Sequence, residues 1–371
     1  MYRHYFTLKQ HTPIIHFQHD QHGASLRASE LKPKLDQFII NKNGGEKKLR
    51  KEHPEWFIND EHPALNYKVR IEASKPQNVK MHEKNKNGKW ETSFPTFFAN
   101  MGKPTKEELI NFTFFSSIEL KITSFNPDIL SQIESLFGEF LFNTNFGTRQ
   151  SKGFGSFFIV DLNIENQPYL NNTFLSVNKS FILNHEDIFN IINYYYQRLK
   201  SGINYSNHYK HSFLKLYLSD QNIMWEKKWL KEKFIGLEKD NEEKYFGRAM
   251  LGLVGNYSFI NPRERREGEV YPDHKIDIEV KSEIIDRFKS PITFKPIEFS
   301  NEWRIYIIPG EVPEEMTNKE FEFLSEGKIH RIKTPKKVID IKDLINKYHE
   351  HLGPSFEAFT FKGKKYTVKT N

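Results

Sequence analysis

The chain of 371 residues contains no cysteine. That excludes a disulfide scaffold, a zinc ribbon and a cysteine nucleophile, and it fits a reducing compartment without by itself fixing one. No stretch approaches about 18 consecutive apolar residues, so no bilayer-spanning helix is expected. The opening Met1-Tyr2-Arg3-His4-Tyr5 lacks the apolar run of a signal peptide. Together these features predict a soluble, cytoplasmic protein without a membrane partner. A Walker A loop is missing, as is a Rossmann glycine fingerprint. The carboxylates show no pairing that suggests glycosidase or nuclease chemistry, and no Asp/Glu constellation points to Mg²⁺. Hydrophobic residues are scarce at 37 %, below the usual ~45–50 %, a benchmark that also counts Gly and omits Tyr.

Aromatic residues compensate. The chain carries 33 Phe, 16 Tyr and 5 Trp, each able to bury a large area, so disorder throughout is not expected. The length suggests two domains. Lys and Arg number 55 against 48 Asp and Glu, a formal net charge of +7, which leans mildly toward polyanionic partners.

The order of elements can be read from periodicity. Tyr2, His4, Phe6 and Leu8 alternate with Arg3, Tyr5, Thr7 and Lys9, the period of a half-buried strand that Pro13 ends. Ala28, Leu31, Leu35, Phe38 and Ile39 recur at helical spacing, with Ser29 as a candidate cap, Pro33 in or near the first turn, and Asn43-Gly44-Gly45 as the stop. Residues 42–65 read as a charged loop. Lys68 to Ala73 alternates again, and Lys75 to Lys89 reads as a long lysine-rich hairpin or loop turning at Asn87-Gly88. Phe114, Ser116, Ile118, Leu120 and Ile122 spell one clear strand. Asn126-Pro127 opens a helix whose apolar stripe is Ile129, Leu130, Ile133, Leu136, Phe137, Phe140 and Leu141. Phe157 to Val160 reads as a strand.

This α+β order, strand–helix–strand(s)–strand–helix–strand, predicts a ferredoxin-like or RRM-like βαββαβ unit over residues 1–165, with one sheet face open to a ligand. Residues 166–371 are expected to form a second, helix-enriched α+β domain, a diverged ferredoxin-like copy with a helical insertion. Asn184 caps its first helix, further helical pieces fall near 206–219, 224–236 and 338–349, and strands fall near 276–280, 291–299, 303–308 and 356–361.

Two loops stand out as candidates for anion binding. Gly147-Thr148-Arg149-Gln150-Ser151-Lys152-Gly153-Phe154-Gly155-Ser156 joins a helix to a strand. Its glycines permit close backbone approach to a phosphate and positive φ; Arg149 and Lys152 add charge, and Phe154 offers a ring for stacking. The bland alternative is an ordinary glycine-rich turn. The second candidate runs through Gly23 to Leu26-Arg27-Ala28-Ser29 at a helix start, flanked by Lys32 and Lys34; a solvated helix face is its bland alternative. Both loops can border one end of the sheet and form a basic groove. His11, His16, His19 and His22 cluster in the same region. A metal site or a catalytic histidine is conceivable there, but structural or RNA-contacting histidines are the preferred reading, so no metal, cofactor or catalytic residue is assigned.

The two loops carry a resemblance to the RAMP superfamily of CRISPR-associated RNA-binding proteins. Gly147-Thr148-Arg149 followed by Ser151-Lys152-Gly153-Phe154-Gly155-Ser156 is similar to the family's glycine-rich loop. Thr12-Pro13 and Leu26-Arg27-Ala28-Ser29 resemble its first loop and helix. With the Ser290-Pro291 step before a late strand, the nearest group is the first subunit of the type III-B (Cmr) effector complex. The resemblance implies a non-catalytic subunit of an antiviral ribonucleoprotein that contacts guide RNA or target RNA and neighbouring effector subunits. In that reading Arg149, Gln150, Ser151, Lys152 and Gly153 to Gly155 meet phosphates, Phe154 stacks or anchors the loop, and Gly23, Arg27, Lys32 and Lys34 extend the groove. The alternative is a metal-independent guide-RNA-processing endoribonuclease of the same superfamily.

Overall fold

A computed structural model describes residues 1–15, 25–80, 82–84, 90–92, 111–160, 167–204, 209–234, 244–253, 255–260, 275–285, 288–361 and 364–371. The described residues form a mixed α+β protein with several antiparallel sheets and seven α-helices. They divide into two compact units, which are not contiguous in sequence. One comprises 1–193, 293–308 and 352–371; the other comprises 194–292 and 309–351. Residues 166–193, 293–308 and 352–371, all beyond residue 165, thus group with the N-terminal region.

The first unit holds a sheet of β1 (Tyr2–Gln10), β2 (Lys68–Ala73), β3 (Ile118–Ser124) and β4 (Phe157–Ile159), in the order β2-β3-β1-β4. Every neighbouring pair is antiparallel: Phe6 faces Leu120, Ile71 faces Leu120 from the other side, and Gln10 faces Phe157. Alternation decides which face is buried. Phe6 and Leu8 of β1, with Ile118, Leu120 and Ile122 of β3, point inward, and their neighbours point to solvent.

Two long helices cover the inward face. α1 (Ala28–Lys42) supplies Leu31, Leu35 and Ile39. Its N-cap is Arg27, without a side-chain cap bond, so Ser29 lies inside the first turn rather than capping it. Helix α2 (Glu46–Glu52), inside the stretch expected to be a charged loop, is stabilised by the burial of Leu49 and the Glu46–Arg50 pair one turn apart. α3 (Pro127–Asn143) starts as its sequence dictates: the Asn126 side-chain oxygen accepts from the Asp128 N–H at 2.8 Å, and Pro127 occupies a first-turn position where no partner for an N–H is needed. Its fully buried Phe137 lies 4.2 Å, ring centre to ring centre, from Phe6.

The strand expected to run through Phe114 and Ile122 is two strands. Asn111–Phe115 pairs with Pro76–Lys80, while β3 starts at Ile118. The break falls at Ser116-Ser117, where the Ser74 and Ser117 backbones bond each other and Ser117 N–H also reaches the Ser74 hydroxyl. Hydroxyl side chains of this kind compete with ladder bonds. The rest of the lysine-rich hairpin has His82–Lys84 paired with Trp90–Thr92; its turn at Asn87-Gly88 lies outside the described residues.

A five-stranded sheet completes the first unit, in the order Ile292–Glu298, Glu302–Pro309, Phe174–Asn178, Lys364–Thr370, Ser355–Phe361. Helix α4 (His185–Lys200) begins in this unit, with Asn184 accepting from the Asp187 N–H as expected of a cap. The second unit has a four-stranded antiparallel sheet, Asn256–Ile260, Lys275–Lys281, Glu320–Ser325 and Lys328–Lys333, with the helices Phe213–Ser219 and Glu226–Phe234 and most of Ile341–Leu352.

Because Phe137 is fully buried against Phe6 and Phe140, Phe137→Ala should cost about 3–5 kcal/mol. Urea denaturation followed by fluorescence and circular dichroism checks this, with a lowered midpoint expected.

Candidate nucleic-acid interface

The glycine-rich loop sits at the end of the first sheet and is stitched to the segment that follows β1. His11 N–H donates to Ser156 O at 2.8 Å, Gly155 N–H to Pro13 O at 2.8 Å and Thr148 N–H to Ile15 O at 2.7 Å. The buried Thr12 hydroxyl bridges the two segments, donating to Gly153 O at 2.6 Å and accepting from Ser156 N–H at 2.9 Å. Such side chain–backbone bonds replace the ladder bonds that the Pro13 ring cannot make.

The loop bends through four residues with positive φ: Gly147 (79°), Arg149 (57°), Gly153 (88°) and Gly155 (64°). At Gly155 glycine is required twice over. A Cβ there would stand 1.9 Å from the carbonyl oxygen of Phe146, whose own N–H bonds Gly155 O. At Gly147 a Cβ would stand 2.4 Å from Ile15 O. Arg149 holds the left-handed conformation without being glycine, which costs roughly 1–2 kcal/mol.

Phe154 is fully buried, its ring stacked on Phe189 at 3.8 Å and 10°. Of the two roles open to it, the anchor is the one its position permits; its faces are not available to a base. Ser151 is also buried, and Ser156 donates to Pro296 O at 2.7 Å. Gln150 donates to Gly147 O at 2.6 Å, and its own carbonyl accepts from Asn145, whose amide also reaches Phe294 O at 2.8 Å. The loop is therefore held rigidly from beneath, and its half-buried members are Gly147, Thr148, Arg149, Gln150 and Lys152.

Charge around the loop is partly met from within. One carboxylate oxygen of Glu30, in the first turn of α1, accepts from Gly147 N–H at 2.9 Å, Lys34 Nζ at 2.7 Å and Gln150 Nε2 at 3.3 Å. This places a protein anion on a backbone N–H that the sequence suggests for phosphate. An acidic residue in a helix's first turn is too common for its spacing alone to reveal this role. Lys34 also donates to Asn145 O and lies at the loop. Lys32, on another side of the same helix, does not: it pairs with Asp36 at 2.7 Å and donates to Leu65 O at 2.9 Å. Two residues are about 200° apart on a helix, which separates these lysines despite their closeness in sequence. Arg27 caps α1 and is half-buried. Gly23, with His16, His19 and His22, lies outside the described residues.

Burial and the neighbouring Arg149 guanidinium push the half-buried Lys152 ammonium down to about 7, and burial lowers Arg149 as well. Beneath the loop, Lys295 is fully buried, donating to Thr144 O and Phe157 O, and desolvation holds it well below the usual lysine range. His11 is buried too. Its Nδ1 accepts from Glu298 N–H at 3.0 Å, and desolvation, then the charges of Lys9 and Lys295, lower its pKa well below 6.5. Among the described residues no group of three or more His, Asp or Glu side chains could hold a metal ion, and no helix is long and apolar enough to cross a membrane.

Two variants test this construction. Gly155→Ala should lower the unfolding temperature by several degrees, whereas Gly45→Ala, also at positive φ but with nothing within 4 Å of a new Cβ, should cost only about 1 kcal/mol; differential scanning fluorimetry compares them. For His11, the unfolded chain binds the extra proton below about pH 6.5 while the folded chain resists it. Stability should therefore fall as pH drops from about 7 to 5, and His11→Asn should flatten that slope in denaturant titrations.

Comparison with known proteins gives two family models that match the chain: Cmr1 N-terminal domain over residues 1–203 and Cmr1 C-terminal domain over residues 209–366. Among solved structures, the chain is similar to Cmr1 from Pyrococcus furiosus in its apo form, at 12 % identity and a TM-score of 0.43, over 90 % of this chain and 99 % of that one. No curated protein matches.

Proposed function

The chain belongs to the Cmr1 family of type III-B RAMP proteins, and from that membership we propose that it is a non-catalytic, RNA-binding subunit of a type III-B CRISPR interference complex in the cytoplasm, acting in antiviral defence. Its partners are guide RNA or target RNA and the neighbouring effector subunits. We read the sheet β2-β3-β1-β4 with α1 and α3 as a ferredoxin-like unit; the all-antiparallel order, with one helix after β1 and one after β3, supports that reading. The division of the chain near residue 165, with a diverged second copy following, belongs to the same proposal.

The observation that carries the RNA reading is the loop itself. A rigid, glycine-bent turn holds Arg149 and Lys152 half-buried at the end of a sheet, the arrangement of cation and backbone that suits a ribose-phosphate strand. Arg149 stands close enough to Lys152 to disfavour the lysine's charge. A phosphate between them removes that penalty, so anion binding and the protonation of Lys152 support one another. Glu30 competes for the same N–H, and its hydrogen bonds hold the loop in shape until the anion arrives. Gln150 and the backbone of Gly153 to Gly155 line the same turn; Gly23, Arg27 and Lys34 extend the contact in this proposal, with Lys32 shaping the helix through Asp36.

Fluorescence anisotropy with single-stranded RNA tests the reading. Arg149→Ala/Lys152→Ala should weaken binding and lower the log–log salt slope by roughly 0.7 for each phosphate the variant no longer neutralises; unchanged slope and affinity would refute it. Because Lys152 is charged below about 7 and increasingly neutral above, wild-type affinity should fall between about pH 6 and pH 8. Lys152→Arg should remove that dependence, since arginine stays charged. Incubation with repeat RNA in EDTA should give no cleavage; cleavage that disappears in His16→Ala, His19→Ala or His22→Ala would instead establish the endoribonuclease.

A further inference from the structure

The inward face of the first sheet is covered by α1 and α3, and its outward face carries a regular pattern of its own. Antiparallel register sets Arg3 opposite Thr123 and Thr123 opposite Lys68, so these three form one row across β1, β3 and β2. The next outward row is Tyr5, Lys121 and Arg70. The third is Thr7, Glu119 and Glu72. Tyr5 is 58 % exposed on a central strand, with the Lys121 ammonium 5.6 Å from its ring centre. Arg3, Lys68 and Arg70 are exposed as well.

Charge on this face is segregated. Among these three rows the cations occupy the first two and the carboxylates the third; the next outward residue of β1, Lys9, lies beyond them beside β4 and is paired with Glu298 at 2.8 Å. Glu119 accepts from the Thr7 and Ser117 hydroxyls, and Glu72 pairs with Arg70 at 2.8 Å. That pair is solvent-exposed on both sides, and exposed pairs are worth little, so Arg70 can exchange Glu72 for another anion at small cost. The carboxylate row lies between the cations and the glycine-rich loop. Tyr5 is five residues from the end of β1, roughly 16 Å at about 3.3 Å per residue. This face is therefore a place distinct from the loop.

We propose that the solvent face of the sheet β2-β3-β1-β4 is a second binding surface for single-stranded RNA, with Tyr5 stacking on a base and Arg3, Lys68, Arg70 and Lys121 holding the flanking phosphates. An exposed aromatic ring surrounded by cations on the middle of a sheet matches both parts of such a ligand, the π-face and the backbone charge. A folded acidic protein would use the cations but not the ring. Stacking and phosphate contact are blind to base identity, so this surface takes single strands without sequence preference. The proposal shares with the loop reading only the class of ligand.

The test uses the full chain and fluorescein-labelled poly(U) RNA. Tyr5→Ala should weaken binding by at least about fivefold while Tyr5→Phe retains it, because the ring rather than the hydroxyl stacks. Lys68→Glu/Arg70→Glu, at exposed positions that leave the fold intact by circular dichroism, should lower the salt slope by roughly 0.7 per phosphate released. Photocrosslinking with 4-thiouridine-containing poly(U) should label the peptide that contains Tyr5. If Arg149→Ala/Lys152→Ala leaves binding intact and Tyr5→Ala abolishes it, the loop reading fails and this one stands. If crosslinks fall only on residues 147–156 and the sheet variants bind within about twofold of wild type, this proposal is overturned and the loop reading stands. Loss of poly-glutamate binding without loss of poly(U) binding in the sheet variants would identify an acidic protein partner and likewise overturn it.

Discussion

Much of the first unit depends on the backbone contact between the segment after β1 and the loop before β4. Gly147 lies against Ile15 across this contact with no space for a Cβ, and within the loop Gly155 lies against the carbonyl of Phe146 in the same way. Much else follows from this contact. Thr12 can bridge to Gly153 and Ser156 only because the two segments are so near. Phe154 can then drop onto Phe189, and Ser156 can reach Pro296. With the underside of the loop consumed by these bonds, Arg149 and Lys152 are left at its half-buried rim. The loop's glycines thus serve packing first, and a rigid cationic rim is the result.

Electrostatics on this unit are organised by which cations are answered internally. Lys32 and Lys34 both find carboxylates one turn away on α1, Asp36 and Glu30. Lys295, wholly buried, donates to two backbone carbonyls, and desolvation keeps it low in pKa. Lys152 is depressed by burial and by its neighbour Arg149. The outward face of the first sheet contrasts with these: Arg3, Lys68 and Arg70 are exposed and Lys121 half-buried in two adjacent rows, while Lys9 beyond them is paired with Glu298. A modest net charge of +7 over the whole chain conceals this local segregation, because partners respond to the local field rather than to the sum.

Elements with a strong period and a clean signal at each end were legible in the sequence. β1 shows strict alternation, and α3 has an Asn-Pro start and a full apolar stripe. The α4 cap at Asn184 and the strands at 275–281, 292–298 and 302–309 were legible for the same reason. Elements whose stability comes from partners were not. Glu46–Glu52 is a charged heptapeptide that folds because Leu49 is buried. Glu320–Ser325 and Lys328–Lys333 are rich in charge and become strands by pairing with each other and with Lys275–Lys281. The break at Ser116-Ser117 was hidden inside an unbroken alternation, since a local pattern does not record that its two halves join different sheets.

The candidate site divides along the same line. From its residues alone, the chain was bound to have a flexible-glycine turn with two cations ahead of a strand, because glycine, charge and the helix and strand flanking them are local properties. Only the tertiary structure decided that Phe154 is an anchor, that Lys34 joins the loop while Lys32 turns away, and that Glu30 already bonds a loop N–H. Each of those outcomes depends on contacts between residues far apart in the chain, or on which side of α1 faces the core. Such distances are set by packing, and no spacing within a single segment encodes them.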